Sequence, residues 1–108
     1  MNSVVVVGRT GQDPEVKYFE SGKVKTTFSL AVNRWDPKTK SEVADWFNVD
    51  VWDKQAEFAG EYVKKGRLVV IDGRIATSKW TDATGAEKER FNIIANNVRL
   101  LGSKKDEA

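Results

Sequence analysis

Four Trp in a chain of 108 residues are the side chains with the most binding chemistry to offer. Two of them fall in residues 45–52 (DWFNVDVW), where residue types alternate as in a strand with one wet face. Phe47, Val49 and Val51 point one way, while Trp46, Asn48, Asp50 and Trp52 point the other. The apolar side already supplies a core, so indoles on the polar side need another explanation. Trp46 and Trp52 are six positions apart, roughly 20 Å at strand rise. They cannot share one small ligand, but they can stack separate bases of an extended strand. Such stacking is worth about 1–3 kcal/mol per base and tolerates any sequence, because every base has a π-face. The competing reading is that these indoles cover a barrel end or fill a subunit interface, where aromatics are also enriched.

Trp35 and Trp80 favour the first reading. Each is expected at a junction between loop and strand, Trp35 flanked by Arg34 and Lys38 and Trp80 by Lys79. An indole beside a cation at a polar rim suits a base platform, since the charge can take the phosphate. The other cations, Arg9, Lys17, Lys25, Lys54, Lys65, Arg67 and Arg74, are spread along the chain. Singly they read as solvated surface charge. Together they suit a groove that tracks a phosphate backbone with salt-dependent affinity.

Composition removes most rivals. The chain contains no Cys and no His, which excludes disulfides, thiolate catalysis, the Ser-His pair and the commonest transition-metal ligands. Asp50, Asp53 and Glu57 are close enough in sequence to consider for Mg²⁺. Asp53 is better explained as a helix N-cap and Asp50 as a wet-face residue. Gly8-Arg9-Thr10-Gly11 lacks the spacing and the Lys of a phosphate-binding loop. No metal, no cofactor and no catalysis are expected. The net charge of +2 is only mildly basic. No apolar run approaches the ~20 residues of a membrane span, and nothing resembles a signal peptide. A cytoplasmic setting is the expectation.

The elements that must carry these residues follow from periodicity. Residues 4–7 are β-branched and read as a strand, with residues 15–19 as its extended continuation beyond Asp13-Pro14. Val24, Phe28, Leu30 and Val32 alternate with polar residues in a second strand. Residues 34–43 (RWDPKTKSEV) have the composition of an exposed loop leading to the third strand. A helix of about a dozen residues follows, with Asp53 as N-cap, Ala56, Ala59 and Val63 on its buried face and Gly66 at C′. A fourth strand puts Val69, Ile71, Gly73 and Ile75 inside, residues 82–85 turn, and a fifth strand begins at Phe91, Ile93 and Ala95. The result is all-β with one helix between strands 3 and 4, the layout of an OB-fold, a five-stranded Greek-key barrel.

The residues themselves resemble a known family. Val6-Val7-Gly8 through Gly11-Gln12-Asp13-Pro14-Glu15-Val16-Lys17-Tyr18 is similar to the opening of bacterial-type single-stranded DNA-binding proteins (SSB). The similarity continues through residues 28–32, 45–49 and 61–66, and through Gly73-Arg74 to Lys79-Trp80-Thr81-Asp82. It covers residues 2 to about 101, and the GQDPE and KWTD runs make it specific. The resemblance implies an OB-fold homotetramer that binds single-stranded DNA without marked sequence preference and protects it in replication, repair and recombination. It implies base stacking by Trp35, Trp46, Trp52 and Trp80, and phosphate contacts by Lys17, Lys54, Lys65 and Lys79. Arg9, Arg34 and Arg74 complete the candidate phosphate set. A nucleoid-associated cytoplasmic protein is implied, with an organelle-type form as the alternative. An RNA-binding or primosomal module is the runner-up within the binding class, and an assembly protein with a buried Trp face is the rival outside it.

The chain departs from the family pattern in places. Phe47 stands where a His is frequent, Asn48 where a basic residue is common, and Ala76 and Ser78 replace further cations. Phosphate contacts are therefore expected to shift, for example to Arg74 and Arg67. Residues 1–101 are expected to form the binding domain and 102–108 a short, charged, disordered tail. The family's acidic partner-docking tip has no counterpart in Lys104-Lys105-Asp106-Glu107-Ala108.

Overall fold

The computed structural model describes residues 1–102, so the expected charged tail lies outside the described residues apart from Gly102. The elements are β1 (Val4–Thr10), β2 (Glu15–Tyr18), β3 (Val24–Asp36), β4 (Ser41–Trp52), α1 (Lys54–Tyr62), β5 (Leu68–Thr81) and β6 (Glu87–Leu100). β1 and β2 are the two pieces of the interrupted first strand. Counted together they leave five strands, with the helix between the third and the fourth. The sheet order is β1-β5-β6-β4-β3-β2, and an additional β1–β3 pairing closes it into a barrel. The fold is an OB-fold. Closure needs close backbone approach, and Gly8 provides it: a Cβ there would collide with the Ala31 carbonyl of β3.

The core is the apolar register of these strands. Phe28 and Leu30 of β3, Val49 and Val51 of β4, Val69 and Ile71 of β5, and Ile93 and Ala95 of β6 are buried together. Each fully buried Val, Leu or Phe contributes about 1.5–3 kcal/mol of apolar transfer. Helix α1 plugs one end with Ala56 and Ala59, followed by Val63, all inaccessible. The small Ala side chains let the helix sit low enough for the buried Thr26 hydroxyl to donate to the Ala56 carbonyl at 2.6 Å. The corner between β1 and the segment after α1 is tied by Thr10. Its hydroxyl donates to the Lys64 carbonyl at 2.5 Å and accepts from the Arg67 N–H at 3.1 Å.

Several local expectations change. The helix has nine residues, not a dozen. Asp53 precedes it with φ +60°, and its side chain makes no capping hydrogen bond. Its carbonyl instead accepts the Ala56 N–H, because the chain turns sharply from β4 into α1. Gly66 does have positive φ, but it lies within a Lys64–Arg67 turn closed by the Arg67 N–H on the Lys64 carbonyl, well past the helix end. Most of residues 34–43 is strand. β3 runs to Asp36 and β4 starts at Ser41, paired continuously as far as Asp36 with Ser41. β6 likewise starts at Glu87, paired with Thr81. Two hairpin arms therefore project beyond the barrel. There the inner register loses its core: Ile75 and Phe91 are exposed.

Candidate nucleic-acid interface

In a ladder without bulges, cross-strand partners share a face and every second residue joins them. The β3–β4 register is unbroken from Lys25/Trp52 through Thr27/Asp50, Ser29/Asn48 and Ala31/Trp46 to Trp35/Glu42. Trp35, Trp46 and Trp52 therefore stand on one face of a single ribbon. β4 meets β6 with Asp50 beside Ile94, and β6 meets β5 with Ile94 beside Arg74. From Arg74 the β5–β6 register runs unshifted to Trp80/Lys88, which puts Trp80 on the same face. All four indoles thus decorate one continuous outer surface. The alternation that separates them from Phe47, Val49 and Val51 is as expected.

Their surroundings differ. Trp35 and Trp46 are each 61% exposed and Trp80 45%. The Trp46 ring lies over Gly11, where a Cβ would come within 2.6 Å of the indole. Any side chain at position 11 would push the ring off the end of β1. Trp52 is half-buried and stacks on Phe19 with centroids 5.6 Å apart. Lys25 sits over Trp52 at 5.6 Å and Lys17 over Phe19 at 5.2 Å, so this end of the face is a cation-lined aromatic pair. Trp80 has the Arg90 guanidinium 5.8 Å from its ring.

The candidate cations divide by strand parity. Lys17 pairs with Lys25, Arg9 pairs with Ala31 in the row of Trp46, and Arg74 pairs with Ile94, so all three lie on the indole face. Arg9 also donates to the Gly66 carbonyl at 3.0 Å. Lys65 is exposed near the Gly11 corner, its N–H held by Asp13 at 2.9 Å. Lys54 is exposed at the start of α1, two residues beyond Trp52. Arg34 and Lys79 fall on the opposite face from the indoles beside them in sequence. Each Trp is the next-to-last residue of its strand, at the junction with the turn as expected, and in a strand adjacent residues point apart. Arg34 is paired with Asp45 at 2.8 Å and Lys79 faces Glu89 across its hairpin. Arg67 is buried and unavailable to a phosphate.

Phe19, Arg90 and Lys88 were not singled out from sequence. A four-residue turn at 82–85 would pair Trp80 with Glu87; Lys88 stands opposite Trp80 because Ala86 also belongs to the connection, with Thr81 paired to Glu87. Among the described residues no group of three acidic side chains is placed to hold a metal ion. No described helix is long and apolar enough to cross a membrane. The carboxyl of Asp82, at the tip of the β5–β6 arm, is held below its ordinary value, chiefly by the Thr84 hydroxyl donating to it.

Comparison with known proteins decides the family. The model of the single-strand binding protein family matches residues 1–101. The chain belongs to the single-strand binding protein family. It is similar to single-stranded DNA-binding protein 1 of Synechocystis sp., 51% identical with 100% of this chain and 89% of the relative covered. It is also similar to the single-stranded DNA-binding protein of Neisseria meningitidis, 37% identical over 98% of this chain and 63% of that one. Among solved structures, a Plasmodium falciparum SSB in complex with ssDNA superposes with a TM-score of 0.84 at 28% identity, covering 94% and 96% of the two chains. An SSB relationship extends over every element that carries an indole.

Proposed function

We propose that this chain binds single-stranded DNA, stacking bases on Trp35, Trp46, Trp52 and Trp80 and neutralising phosphates with the surrounding Lys and Arg. The observation that carries the reading is the shared face of the four indoles, three of them well exposed. A surface of this kind reads no base edges by default, so it suits a protein that covers transiently exposed strands in replication, repair and recombination. Lys17, Arg74, Arg9, Lys65 and Lys54 supply the backbone track, with Lys25, Lys88 and Arg90 added from their place beside the indoles. Arg34 and Lys79 take part only if the strand passes around the hairpin edges. The activity is binding, without catalysis, in residues 1–101, in the cytoplasm with the nucleoid. Homotetramer formation goes with this reading. Val5 and Val7, exposed on β1 in the same register as Arg9, are apolar surface that a subunit contact would cover.

A tryptophan-fluorescence titration with dT oligomers, repeated with duplex DNA, tests the proposal. Deep quenching by single strands alone is expected, with log K falling by about 0.7 per phosphate neutralised for each decade of salt. Absence of quenching by any nucleic acid would overturn it and assign the Trp face to a subunit contact.

A further inference from the structure

We infer that Asp50 gives this surface a base preference, disfavouring thymine relative to bases that present an exocyclic amine. The inference rests on reading the face as a single-strand interface and goes beyond it in specificity. By register, Asp50 lies between Trp46 and Trp52 on the indole face, with Thr27 of β3 on one side and Ile94 of β6 on the other. It is an anionic group between the two indoles, with Lys25 one row toward Trp52 and Arg74 two strands away in its own row. Two neutral donors fix its carboxylate. The Thr27 hydroxyl donates to Oδ1 at 2.9 Å and the Asn92 amide Nδ2 to Oδ2 at 3.3 Å.

This arrangement has a definite hydrogen-bonding character. A carboxylate has about four acceptor positions, so one donor on each oxygen leaves both able to accept again. The Thr27 proton is committed to Asp50, which leaves that hydroxyl with lone pairs only. The Asn92 amide is oriented with its nitrogen toward the carboxylate. The reverse orientation would set two oxygens against each other, and the cost of the observed one is visible in Asn92 Oδ1, buried with no partner. The Thr27–Asp50–Asn92 row therefore offers a ligand several acceptors, with the second Asn92 Nδ2 hydrogen as its one remaining donor.

Nucleobases differ in what they can give such a row. Cytosine offers its 4-amino group and adenine its 6-amino group, while guanine offers an N1–H beside a 2-amino group, a match for both carboxylate oxygens. Thymine has a single N3–H between two carbonyl oxygens whose lone pairs face the carboxylate. The same charge repels phosphate, so a strand crossing the centre of the sheet must turn its bases inward there.

The test uses dC and dT oligomers of about twelve nucleotides, within the span of one OB-fold, at pH 8 so that cytosine stays neutral. Trp quenching is followed in the whole chain and in its Asp50→Asn and Asp50→Ser variants. Both substitutions should tighten dT binding and leave dC binding equal or weaker. The ratio Kd(dT)/Kd(dC) then falls on the order of tenfold, in the range of one good base contact. The unsubstituted protein should also bind an oligomer of 2-pyrimidinone deoxynucleoside, which lacks the 4-amino group, several-fold more weakly than dC. That measurement needs no folded variant. An equal gain on dC and dT, or no loss with 2-pyrimidinone, would overturn the inference and leave Asp50 as bulk charge. If the unsubstituted protein is quenched by neither oligomer, the interface reading itself fails and the preference falls with it.

Discussion

The two hairpin arms are alike in plan and different in charge. Each leaves the barrel as a paired ribbon, carries one exposed indole on the common face and turns a cation toward the other. On the β3–β4 arm Trp35 stands opposite Glu42, and the cation behind it, Arg34, is taken up by Asp45 at 2.8 Å. On the β5–β6 arm Trp80 stands opposite Lys88 and has Arg90 near its ring. On the proposed reading both indoles stack a base. On the indole face only the Trp80 arm carries cations within its paired strands; on the other arm Lys38 and Lys40 belong to the tip beyond the ladder. In sequence both have a neighbouring cation and look equivalent, and only register separates them.

The largest test of this difference removes the indoles one at a time. Trp80→Ala should cost about 2–3 kcal/mol of dT affinity and Trp35→Ala about 1 kcal/mol, the two ends of the range for base stacking. Titration at one fixed salt concentration compares them, and equal losses would mean that local charge does not matter to stacking here. A smaller effect is electrostatic. Replacing Arg90 or Lys88 by Ala should reduce the magnitude of the salt slope by about 0.7 each if each neutralises one phosphate. The reciprocal change, Glu42→Lys, sharpens the comparison by giving the β3–β4 arm the missing charge. The slope should then steepen by about 0.7, and an unchanged slope would show that the strand does not pass Trp35.

The arms are also where sequence and structure part most. The barrel wall was legible because it has one dry face and one wet face. Val24, Phe28 and Leu30, then Val49 and Val51, alternate with polar residues and are buried as that pattern requires. An arm has two wet faces, so residues 34–43 show no alternation and read as loop. The converse failure occurs at Ile75 and Phe91. They continue the apolar register of β5 and β6 past the point where the core ends, and periodicity contains no mark of that end. Alternation separates Trp46 and Trp52 from the apolar register of the core, but sequence offers Trp35 and Trp80 only their immediate neighbours as charged partners. In a strand the neighbour points away. The useful partner is across the hairpin or two positions along, as Lys25 is for Trp52 and Arg90 for Trp80. Asp53 was misread for a different reason: an acidic residue before a helix usually caps it, whereas here the tight exit from β4 forces a positive φ and turns the side chain away.

The smallest expected effect concerns how the β5–β6 arm keeps its tip. Asp82 Oδ1 accepts from the Thr84 hydroxyl at 2.6 Å, the Thr84 N–H at 2.9 Å and the Ala86 N–H at 3.1 Å. The β3–β4 tip has a single bond of this kind, Lys38 N–H to Asp36 at 2.9 Å. The Thr84 hydroxyl, with help from the two amides, favours the ionised form and lowers the Asp82 pKa in the folded chain. A carboxyl with a depressed folded pKa stabilises the fold above its unfolded value, about 3.9, and loses that contribution as pH falls through the folded value. The tip should therefore be unchanged between pH 5 and 8 and loosen only below about pH 4. Amide chemical shifts of Thr84 and Ala86 followed down in pH give the reading. Both should titrate together below the ordinary Asp range, and the step should vanish in Asp82→Asn, which has no carboxyl to protonate. A step that survives in Asp82→Asn would assign it to another group and leave the two tips equal in this respect.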